Sequence, residues 1–120
     1  MIPYNTKQRL ARKARIRKKV KGTSDRPRLT VYKSMKHIYT QVVDDSAGKT
    51  LASTSTVSKE FKDRMKSAKN LEAAKLVGEI VADKLIQRGI KKLVFDRNGY
   101  IYHGKIAAIV EKVREKGIIV

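Results

Sequence analysis

The sequence predicts an α/β domain: a mixed sheet of about four strands, three antiparallel and one or more parallel, with two main helices packed on it and a basic N-terminal arm in front. Two β-branched and aromatic runs, Leu29–Tyr32 and Ile38–Val43, flank a short polar break, the pattern of an antiparallel hairpin. Two later stretches carry apolar residues at spacings of three and four, the helical period. Between them, K-L-V-F-D at Lys92–Asp96 is a short apolar run that follows a helix; it reads as a buried strand reached by a crossover and parallel to its neighbour.

The chain begins with K-Q-R-L-A-R-K-A-R-I-R-K-K-V-K, residues 7–21, where like charges three and four apart repel and oppose a free helix. Residues 1–22 are therefore expected to be a flexible arm when free, ordering on RNA once phosphates remove the repulsion. Gly22-Thr23-Ser24-Asp25-Arg26-Pro27 is a turn-rich linker; Pro27 disfavours helix at Arg26 and leads into a strand, so a single domain is placed at 23–120. In the hairpin, alternation sends Leu29 and Val31 to one face and Arg28, Thr30 and Tyr32 to the other. On the second run Ile38, Thr40 and Val42 oppose Tyr39 and Gln41. One face is core and the other a polar, aromatic platform. Asp44-Asp45-Ser46-Ala47-Gly48-Lys49 is a second turn, and a third antiparallel strand follows at Thr50–Ser55. The hydroxyl run Ser53–Thr56 offers itself to phosphates, although such runs at strand ends more often cap or turn.

Ser58–Lys69 is polar, with Phe61 and Met65 spaced to tuck one helical turn against the body. Asn70 is placed as the N-cap of a long helix with Glu72 in its first turn, where the helix dipole favours an acid. Its stripe is Leu71, Ala74, Val77/Gly78, Val81 and Leu85, and Arg88-Gly89 ends it. Arg97-Asn98-Gly99 is a loop that tolerates positive φ. Tyr100–Gly104 leads into a last helix, where Ile106, Ile109, Val110 and Val113 form the stripe and Gly117 stops it; Ile118–Val120 is left to add an edge strand or pack on the body.

Composition narrows function. A 120-residue chain suits one domain with a real core. It carries 29 Lys and Arg against 11 Asp and Glu, a net +18, and self-repulsion of that size is costly unless a polyanion neutralises it. Eleven of the 29 cations lie in residues 1–28 beside a single acid, Asp25. A membrane surface would want a basic amphipathic helix with Trp, Phe or Leu opposite the charge, whereas this chain has no Trp and two Phe. The absence of cysteine excludes disulfides, thiolate zinc sites and cysteine nucleophiles, and leaves a reducing compartment unchallenged. No apolar run reaches the ~18 residues of a spanning helix, and the N-terminus lacks the apolar centre of a secretory signal. The expectation is a soluble cytoplasmic protein, monomeric when free.

No catalytic constellation is evident. His37 and His103 are too far apart in sequence for a helix-spaced metal pair, and neither a phosphate-loop nor a nucleophile-elbow motif occurs. A two-metal nuclease would gather carboxylates, and Asp44, Asp45 and Asp96 end predicted strands. Asp44 and Asp45 sit beside a glycine-containing turn where acids are common for conformational reasons, and Arg28–Lys33 carries no acid at all. Neither catalysis, a metal nor a cofactor is expected. The RNA reading has two ingredients, cations that release counterions and aromatics that stack. Tyr32 and Tyr39 on the outer face, with Tyr100 and Tyr102 in the second loop, interleave with Arg26, Arg28, Lys33, Lys36, Arg97 and Lys105. Arg97 and Asn98 stand before a helix start, where amides can hold phosphate. A DNA-binding basic protein and the nuclease remain rival readings.

R-P-R-L-T-V-Y-K-S-M-K-H-I-Y-T-Q-V-V-D-D, G-K-T-L-A-S-T-S-T, V-G-E-I-V-A-D-K-L and F-D-R-N-G-Y-I-Y-H-G-K occur in that order. From about Lys7 onward the chain resembles the L-eighteen family of bacterial large-subunit ribosomal proteins; each motif is moderately specific and the ordered set highly so. The resemblance implies a 5S rRNA-binding protein of the large ribosomal subunit. In that family it helps attach 5S rRNA to 23S rRNA in the central protuberance, beside proteins of the L-five and L-twenty-five families. It also implies a ribonuclease-H-like topology without the catalytic acids. Carried over by motif, the basic arm is Arg9, Arg12, Lys13, Arg15, Arg17, Lys18, Lys19 and Lys21. The strand entry is Arg26 and Arg28, the turn is Ser34, Lys36 and His37, and the aromatic loop is Arg97, Tyr100, Tyr102 and His103. Two positions depart from the pattern: Met35 stands where Asn is common, and Asn98 where Gly is frequent.

Overall fold

A computed structural model describes residues 8–12, 21–34, 36–65 and 71–120. The elements run β1 (Arg28–Lys33), β2 (Ile38–Asp44), β3 (Lys49–Ser55), α1 (Lys59–Lys62), α2 (Leu71–Gln87), β4 (Val94–Asp96) and α3 (Gly104–Glu115). Residues 8–12 are also helical. The sheet order is β3-β2-β1-β4. The first three strands are antiparallel, and β4 lies parallel to β1, as a crossover through α1 and α2 requires.

Alternation decides the layers. Leu29, Val31, Ile38, Thr40 and Val42 are all buried, while Tyr32 and Tyr39 are exposed, as the sequence predicts. The buried hydroxyl of Thr40 donates to the carbonyl of Thr54 at 3.0 Å, so its polarity is satisfied inside the core. The β2–β3 turn is shaped by Asp44, whose Oδ1 accepts from the N–H of Ser46 at 3.0 Å and of Ala47 at 3.4 Å. A register shift between Val42 and Val43 leaves Leu51 unopposed, a bulge that nothing in the sequence pattern announces.

The core has two adjoining parts. One gathers Val31, Ile38, Phe61, Val77, Ile80 and Ile109 among others; the second gathers Leu29, Val42, Val81, Leu85, Leu93, Val113 and Ile118. Phe61 on the single turn α1 is buried, with Met65 packed beside it, which is the tuck expected from their spacing. The α3 stripe of Ile106, Ile109, Val110 and Val113 is buried throughout. For α2 the buried arc is wider than the expected stripe. Ala73, Leu76, Ile80 and Ala82 join it because the helix is covered by the sheet on one side and α3 on the other, whereas Leu71 at its first turn is half exposed. The expected cap, Asn70, lies outside the described residues.

At Gly78, α2 packs closely against α3. A Cβ there would stand 2.8 Å from the Ile109 carbonyl oxygen, which is backbone and cannot swing aside. Gly78→Ala is expected to cost about 1–3 kcal/mol by forcing the helices apart, despite the better helix propensity of alanine. Denaturant unfolding checks this; a variant as stable as the parent would show that the helices yield freely.

The strand expected at Lys92–Asp96 is regular only over Val94–Asp96. Its pairing with β1 begins where the Val94 N–H donates to the Pro27 carbonyl at 2.9 Å, and Pro27 has no N–H to return. Upstream, Lys92 bridges Ile119 in parallel instead, so the C-terminal residues extend the sheet edge and bury Ile118. The opposite edge is closed by side chains. Alternate carbonyls of β3 accept from Arg88 (Leu51 O, 2.9 Å), Lys84 (Ser53 O, 2.7 Å) and the Ser58 hydroxyl (Ser55 O, 2.7 Å). This removes acceptors that a further strand would need. Lys84 also pairs with Glu60, and that hydrogen bond holds the Glu60 carboxyl below its usual range.

Candidate nucleic-acid interface

Both main helices lie on one side of the sheet, so β1, β2 and β3 present their other face openly. Pairing register turns that face into two cross-strand rows, Thr30–Gln41–Ser53 and Tyr32–Tyr39–Ser55. Tyr32 and Tyr39 are 49% and 36% exposed, with ring centroids 6.0 Å apart and planes tilted by 44°. Such a pair covers part of each ring and leaves faces on which a base can stack, flanked by hydroxyl and amide groups that suit 2′-hydroxyls and phosphates. These residues line one groove. Sequence reasoning singled out the two tyrosines, placed Thr30 and Gln41 on the same outer face without naming them as site residues, and offered the Ser53–Thr56 hydroxyls to phosphates; the pairing register selects Ser53 and Ser55 for the open rows.

The hairpin turn holds the next candidates. The Ser34 N–H donates to the His37 carbonyl at 2.9 Å and the His37 N–H returns a bond to the Ser34 hydroxyl at 3.1 Å, so Ser34 shapes the turn itself. The His37 ring is held by its Nδ1 at 2.9 Å from the Thr56 hydroxyl and stands edge-on to Tyr39. Lys36 at the tip is exposed, and Met35 lies outside the described residues.

At the end of β4 the chain reverses through Arg97–Tyr100, where Asn98 (φ 55°) and Gly99 (φ 79°) both take the left-handed region and the Tyr100 N–H closes on the Arg97 carbonyl at 3.0 Å. Asn-Gly is the pair best suited to two such positions in succession. Asn98 is buried, its N–H held by Asp96 at 2.8 Å. Tyr100 is committed to the protein: its hydroxyl accepts from the Lys33 N–H at 3.0 Å and donates to the Lys33 carbonyl at 3.1 Å, and Lys33 Nζ stands 5.3 Å from the ring centroid. Tyr102 is exposed, edge-on to Phe95; His103 is exposed at the start of α3, while Arg97 and Lys105 are half-buried.

Of the arm, Lys13, Arg15, Arg17, Lys18 and Lys19 lie outside the described residues. Lys21 is exposed. Arg9 and Arg12 sit against the Asn98–Gly99 turn, 3.1 Å from the Asn98 carbonyl and 2.7 Å from the Gly99 carbonyl respectively. Arg9, Arg12, the turn and the end of the hairpin at Lys33 are therefore linked side by side.

Arg26 and Arg28 differ from what their position in the sequence suggests. Arg26 folds back, its Nε 3.1 Å from the Leu93 carbonyl. Arg28 binds two carboxylates: Asp45 in a forked pair at 2.9 and 3.0 Å, and Asp96 at 2.8 Å. Asp45 also accepts from the Gly22 N–H at 2.6 Å, and the Asp45 N–H donates to the Gly22 carbonyl at 3.0 Å, so the linker is tied to the sheet. The hydrogen bonds that Arg28 donates to Asp45 keep the pKa of its guanidinium above the ordinary value, against the opposing effect of burial. Thus two of the acids weighed as nuclease ligands converge on an arginine, and among the described residues no group of three or more His, Cys, Asp or Glu is arranged to hold a metal. Arg28 organises the sheet; the open tyrosine rows and the exposed lysines beside them are the available contact surface.

A family model described as ribosomal L18 of archaea, bacteria, mitochondria and chloroplast matches residues 4–120. The large ribosomal subunit protein uL18 of Dictyoglomus thermophilum is 54% identical over 110 residues, covering 92% of this chain and 90% of that protein. Its counterpart in Heliobacterium modesticaldum is 56% identical over 104 residues, 87% of this chain and 85% of that protein. That of Myxococcus xanthus is 52% identical over 117 residues, with 98% of each covered.

Proposed function

This chain belongs to the L18 family of ribosomal proteins, and from that premise we propose that it binds 5S rRNA and helps attach it to 23S rRNA in the central protuberance, beside proteins of the L-five and L-twenty-five families. It is a structural protein of the large ribosomal subunit, cytoplasmic in bacteria, with ribosomal RNA and ribosomal proteins as neighbours, and it is not an enzyme. The observation that carries the RNA reading is the open face with its paired Tyr32 and Tyr39 in a chain of net charge +18. Cations supply affinity that is indifferent to sequence, and the shaped aromatic and hydroxyl rows supply the choice of a folded RNA over a duplex. The arm residues Lys13, Arg15, Arg17, Lys18, Lys19 and Lys21 contribute charge on this reading, and Lys36, His37, Tyr102, His103 and Lys105 border the contact.

Competition at physiological salt tests it. Labelled 5S rRNA bound to the protein is expected to resist displacement by an equal mass of duplex DNA, and a footprint on total ribosomal RNA is expected to place its protections on 5S rRNA. Equal displacement by DNA, or protections confined to other RNAs, would overturn the assignment.

A further inference from the structure

Of the arm cations among the described residues, Lys21 is exposed, whereas Arg9 and Arg12 both point at protein. Arg12 Nε donates to the Gly99 carbonyl at 2.7 Å, Arg9 Nη1 to the Asn98 carbonyl at 3.1 Å, and the Arg9 guanidinium lies 4.9 Å from the centroid of the Tyr100 ring. The approach is close enough to dictate the residue at the turn: a Cβ on Gly99 would fall 2.0 Å from the Arg9 carbonyl oxygen. The double left-handed turn aims two successive carbonyls the same way, which gives two cations acceptors without any carboxylate. Tyr100 then ties the turn to the end of β1 through its two bonds with Lys33.

We propose that the Asn98–Gly99 turn is the seat of the basic segment at residues 8–12, and that Arg9 and Arg12 are positioning residues which dock it there rather than phosphate contacts. This rests on the RNA-binding reading above and deepens it. A segment already seated on the body loses less freedom when RNA binds than an unseated one, so docking is converted into affinity. Two arginines counted among phosphate contacts on sequence grounds are thereby reassigned.

The test is a double-mutant cycle in the full chain, read by binding of 5S rRNA. Arg12→Ala and Gly99→Ala are each expected to weaken binding roughly tenfold, and together also roughly tenfold rather than a hundredfold, because either one undocks the arm. Since alanine at a left-handed position also strains the turn, a second cycle uses Arg9→Ala with Arg12→Ala, which leaves the turn backbone untouched. In arginine-labelled protein bound to 5S rRNA, Arg9 side-chain protons are expected to show the upfield shift of a group over the Tyr100 ring, lost in Gly99→Ala. Additive cycles, or unshifted Arg9 protons in the parent complex, overturn the proposal. Failure of the parent protein to bind 5S rRNA would instead overturn the function proposed above.

Discussion

Raising monovalent salt from 50 to 200 mM is expected to weaken binding of 5S rRNA by about three to five decades, if six to ten phosphates are neutralised. The motive is the charge: a net +18 on 120 residues, with eleven of the 29 cations in residues 1–28. Each lysine or arginine that replaces a condensed counterion adds one ion released, and the logarithmic slope counts those contacts. The slope is expected to fall short of a full tally of the basic residues. Arg28 is spent on Asp45 and Asp96, Lys84 on Glu60 and the β3 edge, and Arg88 on the Leu51 carbonyl. What survives at high salt is expected to be the contribution of the tyrosine rows, since stacking on an aromatic supplies about 1–3 kcal/mol per base with little dependence on ionic strength. Filter binding across that salt range decides it. A flat response would mean that shape and stacking carry the affinity and that the charge serves something else.

How much of this was legible beforehand depends on whether the deciding contact is local. The layers of the hairpin were legible because alternation is written residue by residue: Leu29, Val31, Ile38 and Val42 went in, Tyr32 and Tyr39 went out. In β3 the same rule had nothing to grip, since S-T-S-T offers hydroxyls to both faces. Only the pairing register shows that Thr54 joins buried Thr40 while Ser53 and Ser55 join the open rows. The breadth of the buried arc on α2 follows from α3 lying across it, a fact of tertiary packing that periodicity within one helix does not contain. The carboxylates show the limit most clearly. Asp45 and Asp96 were readable as strand-end acids, but not as partners of one arginine that lies 17 residues from the first and 68 from the second. Arg9 and Arg12 likewise read as free cations because the carbonyls they bind are 89 and 87 residues away.

Arg28→Met is expected to destabilise the domain by about 3–5 kcal/mol, a large share of the 5–15 kcal/mol typical of a small domain. The reason is Asp96. Its side chain is fully buried, and the guanidinium at 2.8 Å is the cation that meets it from β1, so removing the arginine leaves a carboxylate without that charge in a place water does not reach. Asp45, 30% exposed, is partly served by solvent and contributes less to the loss. A melting temperature lower by roughly 10–20 °C follows from the usual scaling for domains of this size. Two comparisons separate this from the loss of an RNA contact. An arginine that only touched phosphate would leave stability unchanged when replaced, within about 0.5 kcal/mol. And Asp96→Asn added to Arg28→Met is expected to restore stability relative to Arg28→Met alone, because asparagine removes the stranded charge while its Oδ1 can keep accepting from the Asn98 N–H. A double variant as unstable as the sum of the singles would show that the two residues do not act as a pair.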